Sequence, residues 1–144
     1  MNVETILKTK GRDVVTMRPE ATLAAAAKEL HRRGIGAIVV TDDKGGVSGI
    51  LSERDVVHTL AKSGPESLAN PIAEVMTHRV HTCRLADTIN DLMALMTAQR
   101  IRHLPVVEQG KLCGIVSIGD VVKYRLEEVE FEAGALREYV ATAG

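Results

Sequence analysis

A long internal repeat constrains the fold of this chain of 144 residues more than any other feature of the sequence. Residues 45–57 align with residues 110–122 at an offset of 65, and seven of these thirteen aligned pairs are identical. Upstream the offset becomes 66, a difference of one loop residue, and the two lead-in segments, 3–7 and 72–76, also resemble each other. A unit of roughly 60 residues is longer than a solenoid repeat, so the pattern predicts two copies of one small α/β half-domain.

Hydrophobic periodicity inside each unit predicts the order helix, strand, strand, helix. In the first unit we expect a helix over 22–33, strands over 37–41 and 47–51, and a helix from 53 to about 61 that begins after Ser52. In the second unit we expect a helix over 88–99, strands over 104–107 and 112–116, and a closing helix after Ser117. Since each unit alone is too small to bury a comfortable core, we expect the two units to share an interface.

The predicted elements divide the chain into four parts. These are the first repeat with its N-terminal lead-in (1–62), a linker with one Gly and two Pro (63–71), the second repeat (72–124) and a C-terminal helix (125–144). Apolar residues recur in the C-terminal helix at helical spacing, at Leu126, Val129, Ala133, Leu136 and Val140. The pattern is compatible with packing on the repeats and with packing on a second subunit.

Composition argues against several classes of function. The formal net charge is -1 and aromatic residues make up 2% of the chain, so neither a basic surface nor a base-stacking platform for nucleic acid is expected. The N-terminus does not read as a signal peptide and no apolar run is long enough to span a membrane. Cys83 and Cys113 form no Cys-x-x-Cys pair, and we interpret them as free thiols of a cytoplasmic protein.

No motif nominates an enzyme or a metal centre. The five His residues show no zinc-ligand spacing, and the sequence contains neither a P-loop nor a Gly-x-Ser-x-Gly nucleophile motif. We therefore expect no catalysis and no metal.

Two copies of one junction motif give the chain a family resemblance. Gly-Ile-Leu-Ser-Glu-Arg-Asp ends at Asp55 and Gly-Ile-Val-Ser-Ile-Gly-Asp ends at Asp120, and segments 73–77 and 101–107 read Ala-Glu-Val-Met-Thr and Ile-Arg-His-Leu-Pro-Val-Val. Over nearly the whole chain, this pattern resembles the CBS domain family, in particular its short members with one CBS pair. The resemblance implies an α/β fold of two βαββα units related by a pseudo-twofold axis, with two clefts between them, and assembly into a homodimer.

The Ser-x-x-Asp spacing also has a chemical meaning of its own. A Ser before a helix leaves free backbone N–H groups that favour an anion, and an Asp in the first turn can accept hydrogen bonds from the two hydroxyls of a ribose. The same spacing is equally that of a capping arrangement with no ligand. The second copy at Ser117 and Asp120, together with the family resemblance, favours the ligand hypothesis.

The resemblance assigns ligand-binding residues to two clefts. In the first cleft, Ser52 and Asp55 would hold the ribose, the backbone at Val80 and His81 would line the adenine, and Arg102 and His103 would meet a phosphate. In the second cleft, Ser117 and Asp120 would hold the ribose and Val14, Val15 and Thr16 would line the adenine.

The alignment predicts that the two clefts are unequal. Gly36 and Ala37 stand where the second unit has Arg102 and His103, so the second cleft lacks their charges, although Arg54 could substitute from the neighbouring turn. We expect the first cleft to take a nucleotide with phosphate, AMP before ADP, ATP or NAD, and the second to be weaker, empty or occupied by an uncharged group.

Two hypotheses for function follow. In the first, the protein is a regulatory module that senses an adenine nucleotide and modulates an unidentified partner protein. In the second, the clefts are vestigial and the protein is a nucleotide-independent interaction or dimerisation module, with the C-terminal helix as its binding element.

Overall fold

The computed structural model describes residues 1–143 of the chain. In chain order, the elements are α1 (Val3–Lys10), β1 (Thr16–Met17), α2 (Leu23–Arg33), β2 (Ala37–Thr41), β3 (Val47–Ser52), α3 (Glu53–Ser63), α4 (Ile89–Gln99), β4 (His103–Glu108), β5 (Lys111–Ser117) and α5 (Ile118–Ala143). Two short 3-10 helices, Pro65–Ala69 and Ile72–Glu74, lie in the connection between the units.

Capping residues set the ends of the helices where the sequence predicts them. The Thr22 side chain accepts a hydrogen bond from the Ala25 backbone N–H, and Gly34 ends α2 in the left-handed conformation at φ 61°. Thr88 begins α4 in the same way, with Asp91 completing a capping box. The predicted helices and strands of both units are therefore confirmed, with differences of one or two residues at their ends.

Each unit contains a small sheet that fixes the start of its closing helix. In the first unit, β1 pairs in parallel with β2, and β2 pairs antiparallel with β3. In the second unit, β4 pairs antiparallel with β5, and the counterpart of β1 is reduced to a single parallel bridge between Cys83 and Val106. The predicted tandem pair of βαββα units is confirmed.

Each lead-in packs into the core of the other unit. Val3, Ile6 and Leu7 of α1 lie in one buried cluster with the residues of α4, β4 and β5. Conversely, Ile72 and Met76 lie in the buried cluster of the first unit. The predicted boundary at residue 62 follows the order of the sequence, whereas the packing places α1 on the second unit.

Two glycines show that this exchange obeys the pseudo-twofold symmetry. A Cβ atom on Gly49 would lie 2.4 Å from the Met76 Sδ atom, and one on Gly114 would lie 2.7 Å from Leu7 Cδ1. Gly49 and Gly114 are aligned in the repeat, and so are Met76 and Leu7. The absence of a side chain at both glycines is what allows the lead-ins to approach the sheets so closely.

The C-terminal helix is not a separate element. The sequence places a boundary between 124 and 125, but α5 runs without interruption from Ile118 to Ala143. Val121 and Tyr124 are its buried residues, and within the described chain none of residues 125–143 is buried. The last five turns of α5 therefore extend away from the core.

Two further observations concern the residues that the structure describes. None of their helices has the length and apolar character needed to cross a membrane. Cys83 and Cys113 are free thiols, and burial raises the pKa of Cys83 to about 12, so this thiol is not a reactive thiolate.

Candidate functional site

The first cleft of the sequence prediction is an open cavity of about 280 Å³ between the two units. Its wall contains all six residues that the sequence assigns to it, which are Ser52, Asp55, Val80, His81, Arg102 and His103. It also contains residues that the sequence analysis did not assign there: Gly36, Ile50, Glu53, Arg54, Thr77, Arg79, Arg100 and Ile101.

Ser52 and Asp55 form a complete capping box at the start of α3. Asp55 Oδ2 accepts from the Ser52 backbone N–H at 2.9 Å and from Ser52 Oγ at 3.1 Å, and the Asp55 backbone N–H donates to Ser52 Oγ at 3.3 Å. Within residues 1–143, Asp55 Oδ1 accepts no hydrogen bond. The capping interpretation is thus satisfied by one carboxylate oxygen, and the other is available to a hydroxyl in the cleft.

The charge of the cleft favours an anion. Four arginine residues, Arg54, Arg79, Arg100 and Arg102, line the cavity together with two acidic residues, Glu53 and Asp55. The N-terminus of α3 also opens at this wall, where the dipole of the helix favours negative charge. Because guanidinium presents its donors in a rigid fork, this arrangement suits a phosphate.

Arg100, at the wall of the cleft, has a left-handed backbone conformation that residues other than Gly rarely adopt. It ends α4 at φ 54°, the left-handed position that Gly34 occupies in the first unit. A side chain in this conformation costs about 1 kcal/mol or more relative to Gly. A residue that stays in such a conformation at the wall of a cleft is a candidate for a functional role.

His103 lies at the meeting point of the two clefts. Its backbone pairs with Ser117, while its ring approaches Gly36 so closely that a Cβ there would lie 3.1 Å from the ring. Burial, assisted by the Lys10 and Arg102 charges, lowers the pKa of His103 below its ordinary value although Glu53 and Asp120 oppose the shift. The imidazole is therefore neutral at pH 7, and in the ligand-free protein the positive charge of the cleft comes from arginine.

The second cleft differs from the first at its carboxylate. Ser117 and Asp120 make the same three hydrogen bonds as Ser52 and Asp55. In addition, Lys10 Nζ at the end of α1 donates to Asp120 Oδ2 at 2.6 Å and to the Ile115 carbonyl at 2.8 Å. Burial by itself would raise the pKa of Asp120, but the hydrogen bonds from Lys10 and Ser117 outweigh it and hold that pKa below its ordinary value.

The structure places the remaining residues predicted for the second cleft at several positions. Gly36 and Arg54 line the first cleft. Ala37 is buried at the start of β2, opposite Ser52. Val14, Val15 and Thr16 lie at the edge strand, where the Val15 carbonyl accepts from Val39, and in the described chain none of the three hydrogen-bonds to Ser117 or Asp120.

Sequence reasoning missed Arg79, Arg100 and Lys10. The alignment contains a signal for each of them, because Arg100 aligns with Gly34, and Lys10 and Arg79 each follow their lead-in by three residues. What the alignment could not show is that the lead-ins cross, which brings Lys10 to the second cleft and Arg79 to the first.

The described residues contain no group of three or more His, Cys, Asp or Glu side chains that could hold a metal ion. The first cleft is lined by four arginines and by one partly buried acidic residue, Asp55, besides the exposed Glu53. This combination suits an organic anion better than a metal ion.

Comparison with known proteins agrees with this architecture. The model of the CBS domain family matches residues 4–62 and 72–127, both copies of the repeat. The chain belongs to the CBS domain family. The match extends over both βαββα units, and the segments outside it are 1–3, 63–71 and 128–144. The CBS pair is therefore the whole of the recognised chain.

Three similar proteins match most of this chain. The crystal structure of the CBS-domain containing protein ATU1752 from Agrobacterium tumefaciens is 48% identical, with a TM-score of 0.84 over 87% of this chain and 99% of that one. A 17.7 kDa protein in the bps2 3' region of Acidianus ambivalens is 34% identical over 91% of this chain and 79% of its own length. The CBS domain pair of protein MJ0100, crystallised with 5'-methylthioadenosine and S-adenosyl-L-methionine, is 25% identical, with a TM-score of 0.77 over 86% of this chain and 98% of that one.

Proposed function

We propose that this CBS pair binds an adenosine derivative carrying a phosphate in its first cleft, and that the bound ligand regulates a partner protein without catalysis. The observation that carries the proposal is that Asp55, whose Oδ1 atom accepts no hydrogen bond within residues 1–143, and four arginine residues line one cavity. The carboxylate is suited to the ribose hydroxyls and the guanidinium groups to the phosphate.

The size of the cavity supports a mononucleotide over a dinucleotide. Ligand sites in proteins enclose about 300–1,000 Å³, and this cavity of about 280 Å³ is at the lower end. Among AMP, ADP, ATP and NAD, AMP is the smallest ligand, so a cavity of this size favours AMP. The adenosyl ligands of the MJ0100 pair support the class of ligand but carry no phosphate, so the phosphate preference rests on the arginines of this chain.

The unequal clefts support binding of one nucleotide per chain. Lys10 already forms an ion pair with Asp120 through Oδ2, the oxygen that the capping box also uses, so the negative charge of this carboxylate is balanced inside the protein. The first cleft has no such internal cation on Asp55 Oδ2 among the described residues.

Regulation requires that the ligand bind two states of the protein with different affinity. His103 is the residue through which a ligand in one cleft would affect the other. It borders the first cleft, and the charges of Lys10 and Asp120 in the second cleft act on its pKa. The proposal includes a homodimer in the cytoplasm, where the free thiols would stay reduced.

Calorimetric titration tests the ligand, with Asp120→Ala as the matched control for Asp55→Ala. Both substitutions remove the same capping box, which should cost about 1 kcal/mol of stability in each case. Asp120→Ala removes the Lys10 ion pair as well, so it should be the less stable of the two variants. Asp55→Ala should weaken AMP binding by about 1–3 kcal/mol, the loss of hydrogen bonds to a charged group, whereas Asp120→Ala should bind AMP as the natural protein does.

The ligand series is AMP, ADP, ATP, NAD, adenosine, 5'-methylthioadenosine and S-adenosyl-L-methionine. Tighter binding of AMP than of adenosine would support the role of the arginines. No heat and no thermal shift with any of these ligands would contradict the proposal and favour the nucleotide-independent interaction module.

A further inference from the structure

The end of α5 carries an apolar stripe with the period of a coiled coil. Its residues are spaced by alternating intervals of four and three: Val122, Leu126, Val129, Ala133, Leu136 and Val140. The large members are exposed, from 44% at Val129 to 63% at Leu136. A strict repeat of seven places Leu126, Ala133 and Val140 at position a and Val129 and Leu136 at position d, the seam of two paired helices.

This extension has little to stabilise it in the single chain. None of residues 125–143 is buried, so no core contact supports the helix beyond Tyr124. Most of the stability of a helix in a protein comes from packing of its apolar face rather than from helix propensity, and Gly134 in the middle of this segment costs about 1 kcal/mol relative to Ala. A helix with these properties and one apolar stripe requires a partner along the stripe.

The charges beside the seam identify the partner as a second copy of this chain. In a parallel pair, position g of one helix faces position e of the following heptad in the other. These positions place Arg125 opposite Glu130 and Glu132 opposite Arg137, opposite charges in both cases. In the single chain, Arg125 has only a long contact of 3.8 Å to Glu128, which leaves its guanidinium able to turn toward a second helix.

The antiparallel arrangement is disfavoured by the same charges. In an antiparallel pair with Leu126 opposite Leu136, Glu132 of one helix would lie beside Glu132 of the other helix. Glu130 would likewise lie beside Glu130 of the other helix. Like charges at flanking positions destabilise a helix pair, so the sequence selects the parallel orientation.

We propose that residues 122–140 form a parallel two-stranded coiled coil with the same segment of a second copy of this chain. The pair begins at Val122, next to the buried Val121, so it continues directly from the body of the module. The two copies are then held side by side with their second units adjacent to the coil. This inference does not depend on whether the first cleft binds a nucleotide.

Disulfide cross-linking tests the orientation in the full chain. Leu136→Cys places a thiol at position d, where two parallel helices bring the Cα atoms within the roughly 7 Å limit of a disulfide. Glu138→Cys, on the same turn but at the outer position f, is the control and also measures the background from Cys83 and Cys113. We expect mild oxidation to convert Leu136→Cys to a covalent dimer at least tenfold faster than Glu138→Cys.

Equal rates for the two variants would overturn the proposal, because a different protein or no partner at all would then cover the stripe. Cross-linking in a mixture of Leu126→Cys with Leu136→Cys that exceeds either variant alone would also overturn it, since it would indicate antiparallel helices.

A charge exchange tests the flanking pairs independently. Glu132→Arg, added to Leu136→Cys, should slow cross-linking several-fold because it faces Arg137 of the other copy. Adding Arg137→Glu should restore the rate. Failure of the second exchange to restore it would contradict the assigned register.

Discussion

Asp55 and Asp120 occupy equivalent positions and make the same three hydrogen bonds, yet different groups lie beside their carboxylates. Lys10 reaches Asp120 from α1, whereas Asp55 borders an open cavity lined by arginine. The Ser-x-x-Asp spacing could be recognised in the sequence at both places. The sequence could not show which of the two carboxylates lacks a neighbouring cation, because the lysine that pairs with Asp120 is more than a hundred residues away in the chain.

Lys10→Met should remove an ion pair whose effect depends on pH. Since the pKa of Asp120 in the folded protein lies below its ordinary value of 3.8, the ionised carboxylate stabilises the fold above that value. This contribution is lost as the pH falls through the folded-state pKa. At pH 7 the substitution should cost about 1 kcal/mol of unfolding free energy, a charged hydrogen bond discounted for partial solvent exposure.

Urea denaturation between pH 7 and pH 3 measures this difference. Lys8→Met is the control, since Lys8 lies on the same helix and forms no ion pair in the described chain. A Lys10→Met deficit that stays constant down to pH 3 would show that the pair does not set the pKa of Asp120.

Arg100 is the second residue whose role is visible only in three dimensions. Arg100→Gly should relieve the left-handed backbone and raise the unfolding free energy by up to about 1 kcal/mol, while it weakens AMP binding and leaves adenosine binding unchanged. Gln109→Gly is the matched control, because Gln109 also has a positive φ, of 51°, but lies outside the cleft wall. Thermal unfolding and calorimetry measure the two effects, and an unchanged AMP affinity in Arg100→Gly would remove this guanidinium from the site.

At the scale of elements, local sequence signals set the helices and strands but not the partners of the lead-ins. Thr22, Gly34 and Thr88 act within three or four residues of themselves, so their positions predict where α2 and α4 begin and end. The exchange of α1 and segment 72–76 between the units is a matter of tertiary packing. The two lead-ins resemble each other and would fit either core, and their spacing along the chain gave no basis for choosing.

The same distinction applies to α5 and to the first cleft. The apolar spacing predicted a helix at 125–144, but the absence of a break before it follows from the buried Val121 and Tyr124, which continue the helical pattern of the second unit. Within the cleft, the six residues assigned from the family resemblance do line one cavity. Gly36 and Arg54, which the sequence assigned to the second cleft, line this cavity as well. An alignment of repeats gives equivalent positions but not which side of the interface they face.

At the scale of the whole molecule, the crossed lead-ins make each core depend on both halves of the chain. Val3, Ile6 and Leu7 complete the core of the second unit, and Ile72 and Met76 complete that of the first. If one unit unfolds, the lead-in that it packs against loses its burial, and apolar residues of both parts of the chain become exposed to water. This arrangement favours a single cooperative transition over independent unfolding of two half-domains.

Leu7→Ala and Met76→Ala test this coupling at equivalent positions. Truncating the buried Leu7, at 1% exposure, should cost about 2–5 kcal/mol, and Met76→Ala should cost a similar amount. In each variant we expect the whole calorimetric transition to move to lower temperature, with the ratio of calorimetric to van't Hoff enthalpy still near one. A second peak, with only one of the two displaced by Leu7→Ala, would show that the halves unfold separately.

The exchange of lead-ins also bears on the origin of the duplication. A lone copy of the repeat would have an unfilled groove and, at its own N-terminus, the segment that fits the groove of an identical neighbour. Two such copies would each insert a lead-in into the core of the other, and this exchange does not require the linker at 63–71. In this chain, fusion of two copies turns an association between molecules into a contact within one polypeptide. It also allows the two halves to diverge, so that one carboxylate borders an open cavity while its counterpart is paired with a lysine.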